Sequence, residues 1–263
     1  MSSPITTWSQ RQELLRNLVA RELKSRYKGS VLGFLWSVLT PLFMALIYMF
    51  FMRIAGHGVP FPEILIGVFA WQFTAQSVQA GLQAATSNAN LIKKVAFPRI
   101  SLPLATTSAQ GIDYILSLGV QVALLIALLW GNEGAFSARL VFLPLVFACH
   151  FALNFGLACL FAAANVFYRD VQHLVGVGLS AWFFLSPIMY NLALVEHLSA
   201  RAAEVFLVNP LAWVVTAYRA CWLSGSEFPL NRVTLAGGIL PWLILLLGVL
   251  VFRRTQKEFA DLL

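Results

Sequence analysis

The chain has 263 residues, 59% of them hydrophobic and 11% charged, with a formal net charge of +7 and a mean hydropathy of +0.77. Soluble domains carry about 25% charged and roughly 45–50% apolar residues, so a soluble globular domain and a disordered chain are both excluded. What remains is a polytopic all-α membrane protein, whose positive charge reflects topology and anionic lipid rather than nucleic acid.

Residues 9–27 (SQRQELLRNLVARELKSRY) form the one long polar helix expected. Leu15, Val19 and Leu23 recur every four residues with Leu18 alongside, the stripe of a helix lying in a membrane interface. Glu22 and Arg26 fall within this stripe at the i, i+4 spacing of an ion pair. Such a helix either anchors to lipid or also touches a cytoplasmic partner.

Charge-free stretches follow at 29–52, 64–92, 114–132, 140–168, 171–195 and 233–252, each longer than the ~18 residues that mark a span. They predict six transmembrane helices over 31–52, 63–82, 104–130, 140–165, 171–190 and 233–252. Residues 84–92 are too polar for lipid. Pro41 should kink the first span, and SPIMY (186–190) breaks the fifth. Residues 191–223 are too apolar for a free loop and should dip back as short re-entrant helices, which need protein or water around their backbone.

An even span count puts both termini on one side. Thirteen of the eighteen Lys and Arg residues lie there, which makes that side cytoplasmic and the protein multi-pass with both termini inside. A signal peptide is not expected, because some 28 polar and charged residues precede the first apolar run. Cys149, Cys159 and Cys221 are scattered and read as small core residues. No internal repeat supports an inverted-repeat transporter.

The longest cytoplasmic connection is TSNANLIKKVAFPRISLP (86–103). Ser87 or Asn88 can N-cap a short helix, Leu91, Ile92, Val95 and Phe97 supply apolar contacts, and Lys93 and Lys94 supply charge. Pro98 stops the helix. Such a helix, over 86–97, presses its apolar side into a groove on a cytoplasmic partner, or else the loop binds lipid headgroups.

Asp113 is the one acid well inside an apolar region. It either pairs with a base of another span, with Arg169 the candidate, or is hydrated near the interface. Arg169 and Asp170 orient a tight turn. Arg219 meets a pyrophosphate or anionic sugar, or else snorkels to the surface. Pro187 in SPIMY and Pro210 in NPLAWVVTAYR join these four as gate or structural positions.

Aromatic residues make up 13% of the chain. Trp36, Phe43 and Phe50 recur every seven positions along the first span, and Trp182, Phe183, Phe184 and Tyr190 cluster in and beyond the fifth. They either line a sugar channel or face lipid and the core. No G-x-x-x-x-G-K-[ST], H-E-x-x-H or G-x-S-x-G motif is present. The histidines lack metal-ligand spacing, so no catalytic or metal residue is assigned, and His150 reads as a hydrogen-bonded core residue. Any driving energy enters from another chain.

RELKSRYKGSVLGFLW (21–36), NANLIKKVAFPRISLPLA (88–105), NVFYRDV (165–171) with SPIMY, NPLAWVVTAYR (209–219) and a tail ending FADLL occur in this order. Together they resemble the permease subunit of type-2 ABC exporters of cell-surface polysaccharides (O-antigen, capsule and teichoic acid), from about residue 9 to 261. The resemblance implies a coupling helix at 88–97 fitted to an ATPase, an interface helix at 9–27, and outer gate helices at 191–223. It also implies a homodimer with two ATP-binding subunits that hold the ATP and Mg, moving a lipid-linked glycan. The competing readings are an integral-membrane enzyme acting on polyprenyl or phospholipid diphosphates, and an ABC permease for small molecules.

Overall fold

The computed structural model describes residues 8–56, 58–131, 136–192, 194–195, 206–226, 228 and 232–263. Among them there is no strand, only an isolated antiparallel bridge between Phe136 and Leu223. The helices are α1 (Trp8–Tyr27), α2 (Leu35–Ile54), α3 (Phe61–Gln83), α4 (Ala89–Lys94), α5 (Ser101–Leu128), α6 (Leu143–Phe167), α7 (Val171–Phe184), α8 (Pro210–Trp222), α9 (Arg232–Thr255) and α10 (Phe259–Leu262). Short 3-10 turns at Thr86–Asn88 and Ala138–Phe142 lead into α4 and α6.

Among the described residues, four helical stretches are long and apolar enough to cross a membrane: α2, α5, α9, and α6 together with its preceding turn. The exceptions among the six expected spans have physical reasons. α3 carries Gln72, Gln76, Gln79 and Gln83, yet it is the central helix, packed on α2, α5, α6, α7 and α8. Ile64, Leu65, Ile66, Phe69, Phe73 and Val78 on it are all buried. Protein rather than lipid covers it, so its polarity is tolerated. α7 has 14 residues, only about 21 Å of helix, because the chain leaves helical geometry after Phe184.

The first apolar helix begins at Leu35 rather than at 31. Gly29 and Gly33 sit at φ +78° and +48°, left-handed turns that glycine adopts without penalty and that keep α1 separate from α2. α2 then runs unbroken through Pro41. Of the expected re-entrant region, Pro210–Trp222 is a helix, while 193 and 196–205 lie outside the described residues.

The tightest seam joins α6 to α9, the most extensively packed pair. Their backbones meet at Gly156 and Gly248. A Cβ on Gly156 would stand 2.6 Å from the Leu245 nitrogen, and one on Gly248 would land on the Gly156 carbonyl. Without a hydrophobic driving force between helices in lipid, such close backbone approach is how small residues hold spans together.

One core cluster surrounds α3 and α8. There Phe73 stacks on Tyr114 at 5.0 Å, and His150 stands edge-on to Phe73 at 4.7 Å. The His150 Nε2 lies 2.7 Å from the Thr74 hydroxyl, so this histidine is a hydrogen-bonded core residue. A second cluster, at the end of the bundle carrying Lys93 and Lys94, gathers Leu18, Ile92, Leu102, Phe252 and Phe259. A third is a patch of Val78 and Leu82 against Val175 and Leu179. α7 buries one narrow face and leaves Leu174, Val177 and Phe184 exposed.

Candidate coupling and gate sites

The basic end is built around α1 and α4. The apolar stripe of α1 packs on the protein itself. Leu14, Leu15, Leu18 and Val19 pack into the same cluster as Ile92, Leu102 and Phe259, and α1 lies along α5. Two arginines fasten it. Arg21 donates to the Asn88 side-chain oxygen at the start of α4. Arg26 donates to Gln76 Oε1 at 3.0 Å, Gln110 Oε1 at 2.7 Å and Asp113 Oδ2 at 2.7 Å.

This corrects two expectations. Glu22 pairs with Arg21 at 3.4 Å, not with Arg26. Asp113 pairs with Arg26, not with Arg169. Asp113 is 5% exposed, and a buried carboxylate needs a charged partner near at hand. Arg26, on the last turn of α1, reaches it beside a recess that Asp113 lines together with Gln72, Gln76 and Gln110 and with the rings of Phe69, Phe73 and Tyr114. Burial, and then the adjacent Asp113 carboxylate, push the Tyr27 phenol above its ordinary value.

α4 is shorter than expected and presents a different side. It ends at Lys94, with Val95 already extended. Neither Ser87 nor Asn88 caps it, since Asn88 turns back to donate to the Ala84 carbonyl at 2.8 Å. Ile92 is buried, and Leu91 and Phe97 pack beside it into the protein's own cluster. Ser87, Asn90, Lys93, Lys94 and Ala96 face outward. The outward side of α4 is therefore basic and polar, while Ile92, Leu91 and Phe97 pack into the protein itself. Arg169 and Asp170 are both exposed at the turn into α7, where Asp170 makes no side-chain cap.

At the far end, two residues tie the break after α7 to α8. Asn209 accepts from Leu211 N and from Trp182 Nε1, and donates to the Leu185 carbonyl and the Ser186 hydroxyl. It is the N-cap of α8, with Pro210 next to it in the first turn. Arg219 is 3% exposed. It donates to the carbonyls of Glu63 at 3.0 Å, Tyr190 at 2.8 Å and Ile188 at 2.9 Å. It does not snorkel to the surface, because α3 and the break take up its donors. Pro187 is buried within the break.

The aromatic positions divide. Trp36, Phe43 and Phe50 are 50%, 56% and 60% exposed along one stripe of α2, and Phe184 is exposed too. Phe183 is buried against Tyr48 and Trp71, at 5.1 and 5.4 Å, so it cannot line a channel. Trp182 is engaged by Asn209. Tyr190 donates to the Phe184 carbonyl at 2.8 Å and packs on Phe206.

Sequence reasoning missed Asn209, Gln76, Gln110, Arg99 and Phe259. Only Asn209 carried a local signal, the Asn-Pro pair that opens helices.

The fold thus combines an N-terminal helix fastened to the bundle, a short basic helix between α3 and α5, and a clamped break after α7. A family described as ABC-2 type transporter matches residues 13–223. The chain belongs to that family. It is 32% identical over 255 residues to a Myxococcus xanthus protein named O-antigen export system permease protein RfbA, covering 94% of each chain. It is 28% identical over 266 residues to a Klebsiella pneumoniae protein of the same name, covering 95% of each. The chain is thus a multi-pass membrane protein and an ABC-2 permease, a transporter subunit rather than an enzyme.

Proposed function

We propose that this permease is the membrane-spanning half of an ATP-driven exporter that carries lipid-linked polysaccharide of the O-antigen kind across the bacterial inner membrane. The observation that carries the reading is collinear similarity to O-antigen export permeases over 94–95% of both chains. In this reading α2, α3, α5, α6, α9 and a fifth span made of α7 with the 185–190 break give six crossings. Both termini and α4 lie in the cytoplasm.

ATP and Mg belong to a separate ATPase chain, since this sequence has no phosphate loop. Two copies of the permease assemble, because one bundle of this size does not enclose a polymer path. Their exposed apolar faces on α2 and α7 support that pairing. The stripe of Trp36, Phe43 and Phe50 offers flat rings on which the C–H faces of sugars slide. The ATPase meets the outward side of α4, so its receiving surface is acidic, complementary to Lys93 and Lys94.

Deletion of the gene in its host tests the reading. Surface polysaccharide should disappear while lipid-linked glycan accumulates in the cytoplasmic leaflet. Unchanged surface glycan overturns the proposal. Replacing Lys93 and Lys94 by Glu should release the ATPase on co-purification, and retention of the ATPase by that variant overturns the docking surface.

A further inference from the structure

α4 packs most closely not on either span it connects but on α10, the short helix that follows α9. Phe259 of α10 is fully buried. Its ring meets Phe252 of α9 edge-on at 5.3 Å and Phe167, the last residue of α6, at 6.4 Å. Ile92, Leu91 and Phe97 pack into the same cluster. The linker after α4 is tied to the same place, because Arg99 donates to the Gln256 carbonyl. An apolar wedge and a polar tie thus bind the α4 region to residues 256–259. That segment sits on the ends of α6 and α9, the pair whose backbones touch at Gly156 and Gly248.

We infer that Phe259 and Arg99 are positioning residues that carry the displacement of α4 into the paired helices α6 and α9. The inference rests on the proposed docking of the ATPase on α4 and names the route the motion takes from there. Packed aromatic rings transmit a push because their interior is dense and barely compressible. Helices held backbone to backbone move as one body, so motion at α4 becomes a shift of two helices together. The competing route runs through Arg21, which joins Asn88 to α1, and onward through Arg26 to α5.

The test uses the whole permease–ATPase complex and follows three quantities: ATPase retained on co-purification, ATP hydrolysed, and glycan exported. Phe259→Ala and Arg99→Gln should keep the ATPase and its hydrolysis while export per ATP falls about tenfold, within the usual span of coupling between sites. Phe259→Leu, which refills the wedge, should recover export. Should Phe259→Ala fail to accumulate, Arg99→Gln at its partly exposed position carries the same comparison. Export per ATP within about twofold of wild type in Arg99→Gln overturns the inference. So does uncoupling by Arg21→Gln with Arg99→Gln still coupled, which assigns the stroke to α1. Failure of the docking itself shows separately, as ATPase retention by the Lys93 and Lys94 variant.

Discussion

Arg26 and Asp113, 87 residues apart, meet at 2.7 Å and fasten α1 to α5. The carboxylate is nearly buried and the guanidinium partly exposed, with side-chain exposures of 7% and 28%. Removing one partner of such a pair typically costs ~3–5 kcal/mol, whereas replacing both by apolar groups is often close to neutral. Arg26→Ala should therefore lower the thermal midpoint of the purified permease strongly. Asp113→Asn should do so less, since the amide oxygen still accepts. The double change to Leu should recover much of the loss. A double variant as unstable as Arg26→Ala would show that the pair acts through more than its charges.

Gly156 and Gly248 leave no room for a methyl group. Alanine at either should cost about 1–3 kcal/mol, the usual range for overpacking, and should reduce the accumulated protein. Gly119→Ala, where a Cβ meets nothing within 4 Å, should be neutral or stabilising by up to ~1 kcal/mol, from the lower entropy of the unfolded chain. Thermal unfolding of the three variants in one detergent compares them directly.

Leu91→Asp and the Lys93→Glu, Lys94→Glu double change should fail in different ways. Leu91 packs inward beside Ile92 and Phe259, so an aspartate there places an unpaired charge in the permease's own core and lowers its level in the membrane. The lysine changes lie on the outward side and should leave that level unchanged while the ATPase is lost. Immunoblots of membranes beside co-purification separate the two.

Thiol chemistry reads the topology. All three cysteines are buried, and Cys221 is 4% exposed. The wild-type permease should resist an impermeant maleimide from either side until it is denatured. Ser87→Cys lies at an exposed position and should react only when the cytoplasmic face is opened. Labelling at position 87 in intact cells would invert the proposed orientation.

The long helices were legible because a charge-free run is a local property. Their ends fell within a few residues of those expected, except where Gly33 delays α2 and the break after Phe184 shortens α7. The facing of the elements was less legible. The stripe on α1 shows that one face is covered, but the covering surface includes Ile92, Phe252 and Phe259, the last of them 244 residues beyond Leu15. Leu91 and Phe97 were expected to meet a partner for the same reason: hydrophobic spacing records burial without naming what buries. Asp113 needed a cation, and the choice of Arg26 over Arg169 depends on how α1 lies along α5, which no nearby residue encodes.

The Arg219 clamp has a consequence for synthesis. Its three acceptors belong to residues 63, 188 and 190, all translated before the arginine itself. While the ribosome is still making α8, the carbonyls of Ile188 and Tyr190 await a donor that lies 31 and 29 residues further along. The nascent chain therefore passes through a stage in which the earlier helices have been delivered to the bilayer but one end is still unlatched. Release of the chain before residue 219 leaves a product whose break after α7 lacks its latch.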